Sequence, residues 1–337
     1  MTERDIARLV ARQCGVDSER LRVSATTLGG GLECDVRRVS VAGIDPRCLW
    51  PTSVVIKELR GAHRRELDIY RLLPRVLTDP PAPRLLAAFR RDGVDYLLMT
   101  DVAPVHAWPW ARPHMAAAVC RNLARLHASR GPVDFPDDWD YESALAASAE
   151  DTLEWARVVS TRHVPRPWPR LGDLRRVVGA LPAIRALLLA ETTLIHGDVH
   201  PGNVLVPTSH GHANDDTDPV VVFIDWGRAR IGSPLEDVAS WLQSLGAWEP
   251  QARRFHDSLL RAYLAACGRG WRLDAELRTR YWLAGACNGL AGAIRYHLWR
   301  AGDSSLPERG RVEATRALHA WRRVIRRAAI AVRSLAS

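Results

Sequence analysis

Lysine is almost absent from this chain. Of its 47 basic residues, all but one are arginine; the exception is Lys57. Other absences exclude whole classes of function. The six cysteines (Cys14, Cys34, Cys48, Cys120, Cys267 and Cys287) form no C-x-x-C pair. That argues against zinc fingers and a disulfide framework, and it fits a reducing, cytoplasmic setting. The longest greasy run, "LPAIRALLLAETTLI", is broken by Arg185 and Glu191 and is too short to span a bilayer, so no membrane is expected. The opening residues, "MTERDIARLVARQCG", are charged and amphipathic where a secretory signal would be apolar. There is no internal repeat and no long low-complexity stretch. No G-x-x-x-x-G-K-[ST] occurs, and "GGGLEC" puts Cys34 where the third glycine of G-x-G-x-x-G would stand. Net charge is +9, but the arginines are interleaved with 38 acids and form no basic patch laced with aromatics. A nucleic-acid partner is therefore not expected. The densest run, Arg309 to Arg333, reads as the outer face of a last helix.

What remains is an ordinary globular composition. With 47% hydrophobic residues in 337, the chain can build a sizeable core, as one large domain or two lobes. A first helix is expected from a Thr2 cap to about Cys14. "RVSATTLGGGLECDVRRVSVAG" reads as strand, triple-glycine turn, strand, and "SVVIKELR" as a third strand. "AHRRELDIYRLLP" is a helix expected to stop at Pro74, and "PRLLAAFRRDGVDYLLMTDV" is a hairpin turning at Arg91-Asp92-Gly93. "APVHAWPWARP" reads as a linker. Beyond it helices are expected at about 112–130, 171–190, 234–245, 249–267, 274–300 and 311–335. A short β island interrupts them, "TTLIHGDVHPGNVLV" and then "PVVVFIDWG". The pattern predicts an α+β chain: a small β-rich lobe, 1–102, then a larger α-rich lobe, 103–337.

The island carries the chemistry. Asp198 and Asn203 lie in "HGDVHPGN", and Asp225 opens "DWG" after an apolar strand. Two acids and an amide at strand ends suit a hard cation such as Mg²⁺, which takes oxygen ligands and keeps waters and phosphates for the rest. Singly, Asp198 and Asn203 could simply cap turns. Lys57 adds a cation upstream, on a strand face shared with Val55 and Leu59. Glu66 shares a helix face with Ile69, Tyr70 and Leu73. A glutamate in an apolar stripe faces inward, where a bare carboxylate is costly, so it calls for a cation, and Lys57 is the natural one. His196 and His200 have i, i+4 spacing, but the turn at Asp198 removes its meaning as a metal pair.

"LIHGDVHPGNVLV" followed by "FIDWGRARIGSPLEDVASWL" resembles the aminoglycoside phosphotransferase and choline kinase group. The resemblance extends to "VVIK", "RRELDIYRLL" and "YLLMTDV", over about 20–300. It implies a bilobal protein-kinase-like fold, ATP and Mg²⁺ as cofactors, and a kinase reaction. It implies that Asp198 accepts or orients the proton of the attacking hydroxyl, and that Asn203 and Asp225 hold the metal against the phosphates. Lys57 and Glu66 would position the nucleotide, Gly29, Gly30 and Gly31 would let backbone amides lie over its phosphates, and Thr100 and Val102 would offer backbone hydrogen bonds to adenine. Asp237 reads as a structural anchor at a helix start. The lone lysine then has a reason: a compact ammonium fits a phosphate site that a planar guanidinium fork does not.

The stretch from Asp225 to Asp237 is short and no A-P-E follows, so a small-molecule acceptor is expected rather than a peptide. For its class, "GPVDFPDDWDYESALAASAEDTLE" gathers Asp134, Asp137, Asp138, Asp140, Glu142, Glu150, Asp151 and Glu154. With Trp139 and Tyr141, these acids suit a cationic acceptor such as an aminoglycoside or a quaternary amine. Asp138, Trp139, Asp140 and Tyr141 are the candidate acceptor residues. The same stretch also reads as a solvated acidic loop followed by an amphipathic helix. A neutral sugar, nucleoside or macrolide-like acceptor stays open, as does a catalytically silent nucleotide-binding protein of the same fold. Antibiotic resistance, biosynthesis and catabolism would all use this chemistry.

Overall fold

In the computed structural model, residues 3–14, 16–28, 34–43, 51–103, 108–128, 139–160, 168–207, 219–268 and 270–335 are described. The chain divides into two compact units. The first is Met1–Pro104 joined by Ile224–Gly227, and the second is Val105–Phe223 with Arg228–Ser337.

In the first unit α1 (Glu3–Cys14) is followed by β1 (Arg22–Thr27), β2 (Val36–Ala42), β3 (Ser53–Leu59), α2 (Arg65–Val76), β4 (Leu85–Arg91) and β5 (Val94–Thr100). The strands form one antiparallel sheet in the order β1-β2-β3-β5-β4. Alternation decides what each face carries. Val54 and Ile56 of β3 join Val39, Val41, Tyr96 and Leu98 in a core closed by Ile6, Ala7, Val10 and Ala11 of α1. Val55, Lys57 and Leu59 therefore point to the opposite face. Asp92 and Gly93 join β4 to β5, both at positive φ (50° and 77°). A two-residue turn with that geometry matches the strand twist, and Asp-Gly tolerates it.

Helix α2 departs from expectation at both ends. A short 3₁₀ turn, Gly61–Arg64, takes up its expected start, and the helix runs through Pro74 to Val76. Proline costs a helix its bond to the carbonyl four residues back. In the last turn only that one bond is lost, and Leu77 N–H still donates to Leu73 O at 2.9 Å.

The second unit contains α3 (Pro113–His127), α4 (Tyr141–Ser160), α5 (Leu171–Gly179), α6 (Leu181–Leu188), β6 (Thr193–Ile195), β7 (Val204–Leu205), β8 (Val222–Phe223) and β9 (Arg230–Gly232). Then come α7 (Pro234–Trp248), α8 (His256–Cys267), α9 (Ala275–Asn288), α10 (Ile294–Gly302) and α11 (Glu308–Leu335). Three helices expected as continuous are each broken; that at 249–267 opens with a 3₁₀ turn, Pro250–Phe255, and becomes α-helical only at His256. The 171–190 helix splits at Ala180, because Pro182 occupies the first turn of α6, where no N–H is required. The 274–300 helix kinks at Gly292, whose φ of 136° lies outside the helical range. The acidic segment supplies a twenty-residue helix, α4. In α11, Ala314, Ala317, Leu318, Trp321, Val324, Ile325 and Ala328 form the buried stripe, while Arg323, Arg326 and Arg327 are exposed. Among the described residues no helix is long and apolar enough to cross a membrane.

Two short ladders frame the motif residues. β6 pairs with β9, and β7 pairs with β8. The loop from His196 to Asn203 thus leaves one ladder and enters the other.

Candidate active site

The first unit holds a buried ion-pair cluster around the lone lysine. Lys57 lies on β3 opposite Val36 and Leu97. Its Nζ is 2.6 Å from Glu66 Oε2 and 2.8 Å from Asp225 Oδ1. Glu66 is 1% exposed and Lys57 8%; the Asp225 side chain is 47% exposed. Burial works against the Lys57 ammonium, but the carboxylates of Glu66 and Asp225 outweigh it and push its pKa up. Burial pushes Glu66 up, with the ammonium pulling against it. A charged lysine between two carboxylates is the arrangement this geometry supports. Asp225 adopts a left-handed backbone, φ 66°, which aspartate tolerates better than most residues. Arg65 of α2 reaches the same segment, its Nη1 donating to Gly227 O at 3.4 Å. Glu58, on the other face of β3, pairs with Arg60 and Arg37.

The second unit holds the Asp198 loop, fixed mainly through its backbone. Asp237, on the first turn of α7, is fully buried. Its Oδ2 accepts from His196 N–H at 2.7 Å and its Oδ1 from Gly197 N–H at 2.8 Å. His127 of α3 meets the same carboxylate at 3.2 Å and Tyr263 of α8 at 2.9 Å. Burial alone would raise the Asp237 pKa; the hydrogen bond from His127, the charges of both histidines and the Gly197 N–H reverse that and lower it. Next, Asp198 N–H donates to His196 Nδ1 at 3.2 Å. Asn203 Nδ2 donates to Asp198 O at 3.1 Å. Trp110 Nε1 donates to Pro201 O at 3.3 Å. The loop that carries Asp198 is thereby tied to α7, to Trp110 ahead of α3 and, through Asn203, to its own far end.

Gly197 is needed for two reasons. Its φ is 81°, and a Cβ there would lie 2.3 Å from the Arg228 carbonyl oxygen. Gly197→Ala is expected to destabilise the fold by roughly 1–3 kcal/mol. Thermal melting checks this, and an unchanged midpoint would show that the loop has room to relax.

Other expected site residues take varied places. Gly29, Gly30, Gly31 and Asp138 lie outside the described residues. Thr100 ends β5; its N–H donates to Arg84 O at 3.0 Å and its hydroxyl accepts from Arg84 N–H at 2.9 Å. Val102 follows in the half-buried chain beyond the sheet. Between them Asp101, unremarked in the sequence, receives Arg38 through two nitrogens (2.8 and 3.1 Å) and Ser53 Oγ at 2.7 Å. It fastens the exit of β5 to β2 and β3.

The acceptor candidates have internal partners. Asp140 caps α4 by accepting from Ser143 N–H at 3.1 Å. The Tyr141 ring lies 3.5 Å beneath the Arg230 guanidinium, and Trp139 meets Tyr141 edge-on. Glu142 holds Arg185 through Nε and Nη2 (2.8–3.2 Å), Asp151 pairs with Arg295 at 2.6 Å and Glu154 with Arg157 at 3.0 Å. Beneath them sits a network that sequence reasoning missed. Buried Glu236 joins Arg185 (2.7 Å) and Arg230, and accepts from Ser233 N–H at 3.3 Å. Ser233 and Glu236 form the S-x-x-E capping box that opens α7, a local signal that could have found them, whereas Arg185 comes from 51 residues away.

The donor set suits Mg²⁺. Asn203 Nδ2 is committed to Asp198 O, which leaves the amide oxygen as the end a metal would take. Asp225 supplies a half-exposed carboxylate. Among the described residues no three His, Cys, Asp or Glu side chains gather to hold a metal.

Comparison with solved structures establishes the fold. The chain is similar to the choline kinase of Cryptosporidium parvum Iowa II (14% identity, TM-score 0.61, covering 98% of each chain). It is similar to aminoglycoside phosphotransferase APH(3'')-Id from Streptomyces rimosus ATCC10970 in complex with ADP and streptomycin (18%, TM-score 0.54, 86% of this chain and 99% of that one). A thermostable mutant of aminoglycoside phosphotransferase APH(4)-Ia, in ternary complex with ADP and hygromycin B, matches at 16% identity and TM-score 0.57 over 96% and 98% of the two chains. These likenesses give the protein-kinase-like fold, a five-stranded antiparallel sheet followed by a mostly helical part. No curated protein sequence matches the chain. The phosphotransferase enzyme family (APH) matches residues 52–277, two thirds of its length, and the chain belongs to that family.

Proposed function

We propose that this protein is an ATP- and Mg²⁺-dependent kinase that transfers the γ-phosphoryl group to a hydroxyl of a small molecule. The observation that carries the proposal is the way the Asp198 peptide is held. Asp237 fixes the two residues before it and Asn203 fixes its carbonyl, so the carboxylate sits on a constrained backbone. Phosphoryl transfer needs positioning and electrostatics more than covalent chemistry, so a rigid base loop is what the reaction requires.

The acceptor oxygen forms a bond to the γ-phosphorus while the bond from that phosphorus to the β–γ bridging oxygen breaks. The electron pair leaves with ADP. Asp198 receives, or orients, the proton of the hydroxyl. Lys57, positioned by Glu66, meets the α- and β-phosphates. Asn203 and Asp225 would hold the metal, whose charge would offset that of the phosphates. Gly29, Gly30 and Gly31, with no Cβ, would let backbone amides approach the phosphates. Of the adenine contacts, Val102 is favoured over Thr100, whose N–H is committed to Arg84.

A silent nucleotide-binding protein would be expected to lack one of these groups, and Lys57, Glu66, Asp198, Asn203 and Asp225 are all present. The test is ADP release from ATP·Mg²⁺ across aminoglycosides, choline-like amines, sugars, nucleosides, a macrolide and a peptide. Acceptor-dependent release supports the kinase; response to the peptide alone would overturn the small-molecule assignment.

Lys57→Arg provides a second check. It keeps the charge but replaces a point donor, seated between oxygens at 2.6 and 2.8 Å, by a wide fork. ATP affinity is expected to fall about tenfold or more, since hydrogen bonds to charged groups contribute roughly 1.5–3 kcal/mol. Calorimetric titration with ATP·Mg²⁺ measures it, and unchanged affinity would remove Lys57 from the nucleotide site.

A further inference from the structure

Beside the Asp198 loop lies a group of aromatic side chains that the phosphoryl-transfer chemistry does not use. His200 is two residues beyond Asp198. Its Nδ1 accepts from Gly202 N–H at 3.1 Å, which fixes the ring against its own loop. Trp248, at the end of α7, lies over that loop: its ring centroid is 5.9 Å from that of His200, and its edge borders Gly202. Trp108 stacks on Trp248 at 5.6 Å with only 11° between the planes. Three rings therefore run outward from the base loop. Yet Trp108 is 39% exposed and Trp248 47%. Two stacked tryptophans left this open are unusual for a core, since each can bury a large apolar area.

The charge around these rings is informative. Of the described acids in the segment, Asp140 caps α4 and Glu142, Asp151 and Glu154 hold arginines, while Tyr141 already carries Arg230. Glu249, next to Trp248, lines a different cavity with Trp110, Ala252 and Phe255. On the flank of His200, α10 contributes His297 and Arg300. Burial, with Arg300 and His200 nearby, pushes the His297 imidazole down to about 4, leaving it neutral at pH 7. On that flank the groups beside His200 are a neutral imidazole and a guanidinium.

Resting on the kinase assignment, we infer that Trp108, Trp248 and His200 form the acceptor subsite, and that the acceptor is a neutral alcohol bearing a flat, π-rich group. That group lies against the tryptophan ledge and brings its hydroxyl to Asp198. Base-sized rings stack on aromatic side chains without needing directional polar readout, so the ledge selects for a planar face while Asp198 selects for the hydroxyl.

The test compares matched neutral probes on the full chain by saturation-transfer NMR and by ADP release. The pairs are phenyl glucoside against methyl glucoside, and a purine nucleoside against methyl riboside. Choline and an aminoglycoside serve as cations. The aryl member of each pair is expected to bind about tenfold tighter. Trp248→Ala should remove about tenfold of that binding, and Trp248→Phe, which keeps an aromatic face, should retain most of it. Trp108→Ala gives an independent reading should Trp248→Ala fold poorly. Equal binding of aryl and methyl probes, or aryl binding indifferent to both tryptophan variants, overturns the inference. So does preference for choline or the aminoglycoside. ATP·Mg²⁺ binding to the unaltered protein reports on the kinase assignment separately. Its failure would sink that assignment while leaving the aryl preference intact, and the reverse holds for failure at the ledge.

Discussion

Asp198→Asn is expected to lower acceptor-dependent ADP release by about 10²–10⁴-fold, the range that a positioned general base contributes. The substitution removes the proton acceptor while keeping the shape. The loop should hold, because its fixation does not run through the Asp198 carboxylate. His196 and Gly197 are held by Asp237, and Asn203 binds the Asp198 carbonyl oxygen, which asparagine retains. ATP affinity and melting temperature are therefore expected to stay close to those of the unaltered protein. That combination separates a catalytic loss from a folding loss. Single-turnover rates, read beside calorimetric ATP binding, measure both. A variant that still turns over at the original rate would show that the hydroxyl loses its proton elsewhere, and Asp198 would then be only a structural residue of the loop.

Much of this site is legible in the sequence because it is written in local periodicities. A strand of β-branched residues places Lys57 on the face opposite the α1 core, and the spacing of Glu66 with Ile69, Tyr70 and Leu73 turns a carboxylate inward. The resulting contact at 2.6 Å joins two elements close in the chain. The hairpin turn at Asp92-Gly93 is legible for the same reason, since its backbone demands a particular residue pair. Helix ends were harder to place. Pro74 is harmless because it falls in a last turn, while Pro182 divides a helix because it begins one. A sequence shows the proline but not its position relative to an end that tertiary packing sets.

Long-range features were hidden for a different reason. That Ile224–Gly227 packs with the first unit depends on Asp225 and Gly227 meeting Lys57 and Arg65, far away in sequence. Arg185 likewise reaches Glu236 from 51 residues away, on α6. The acidic segment shows the risk of reading charge without partners. Glu142, Asp151 and Glu154 meet the protein's own arginines, partners that the charge pattern of the sequence does not show. With 46 arginines dispersed along the chain, each acid has a good chance of finding an internal one.

Asp237→Asn is expected to cost roughly 3 kcal/mol of stability, because it strikes the point where the base loop is anchored. The carboxylate is fully buried and accepts from two backbone N–H groups while facing His127. Asparagine offers one oxygen where two are used, and its amide nitrogen would confront a donor. The loss should also appear in the rate, since His196 and Gly197 lead directly to Asp198. Its pH dependence identifies the cause. The Asp237 pKa is lowered in the folded protein, so its unfolded value, about 3.9, is the higher one. The stability it contributes is then fully present above about pH 4 and is lost as pH falls through the folded value. The gap between the unaltered protein and Asp237→Asn should be flat near neutrality and shrink below pH 4. Denaturant unfolding of both proteins across that range measures the gap. A gap that stays constant into acid would mean that the carboxylate is not the ionised anchor, and that the loop is held by shape alone.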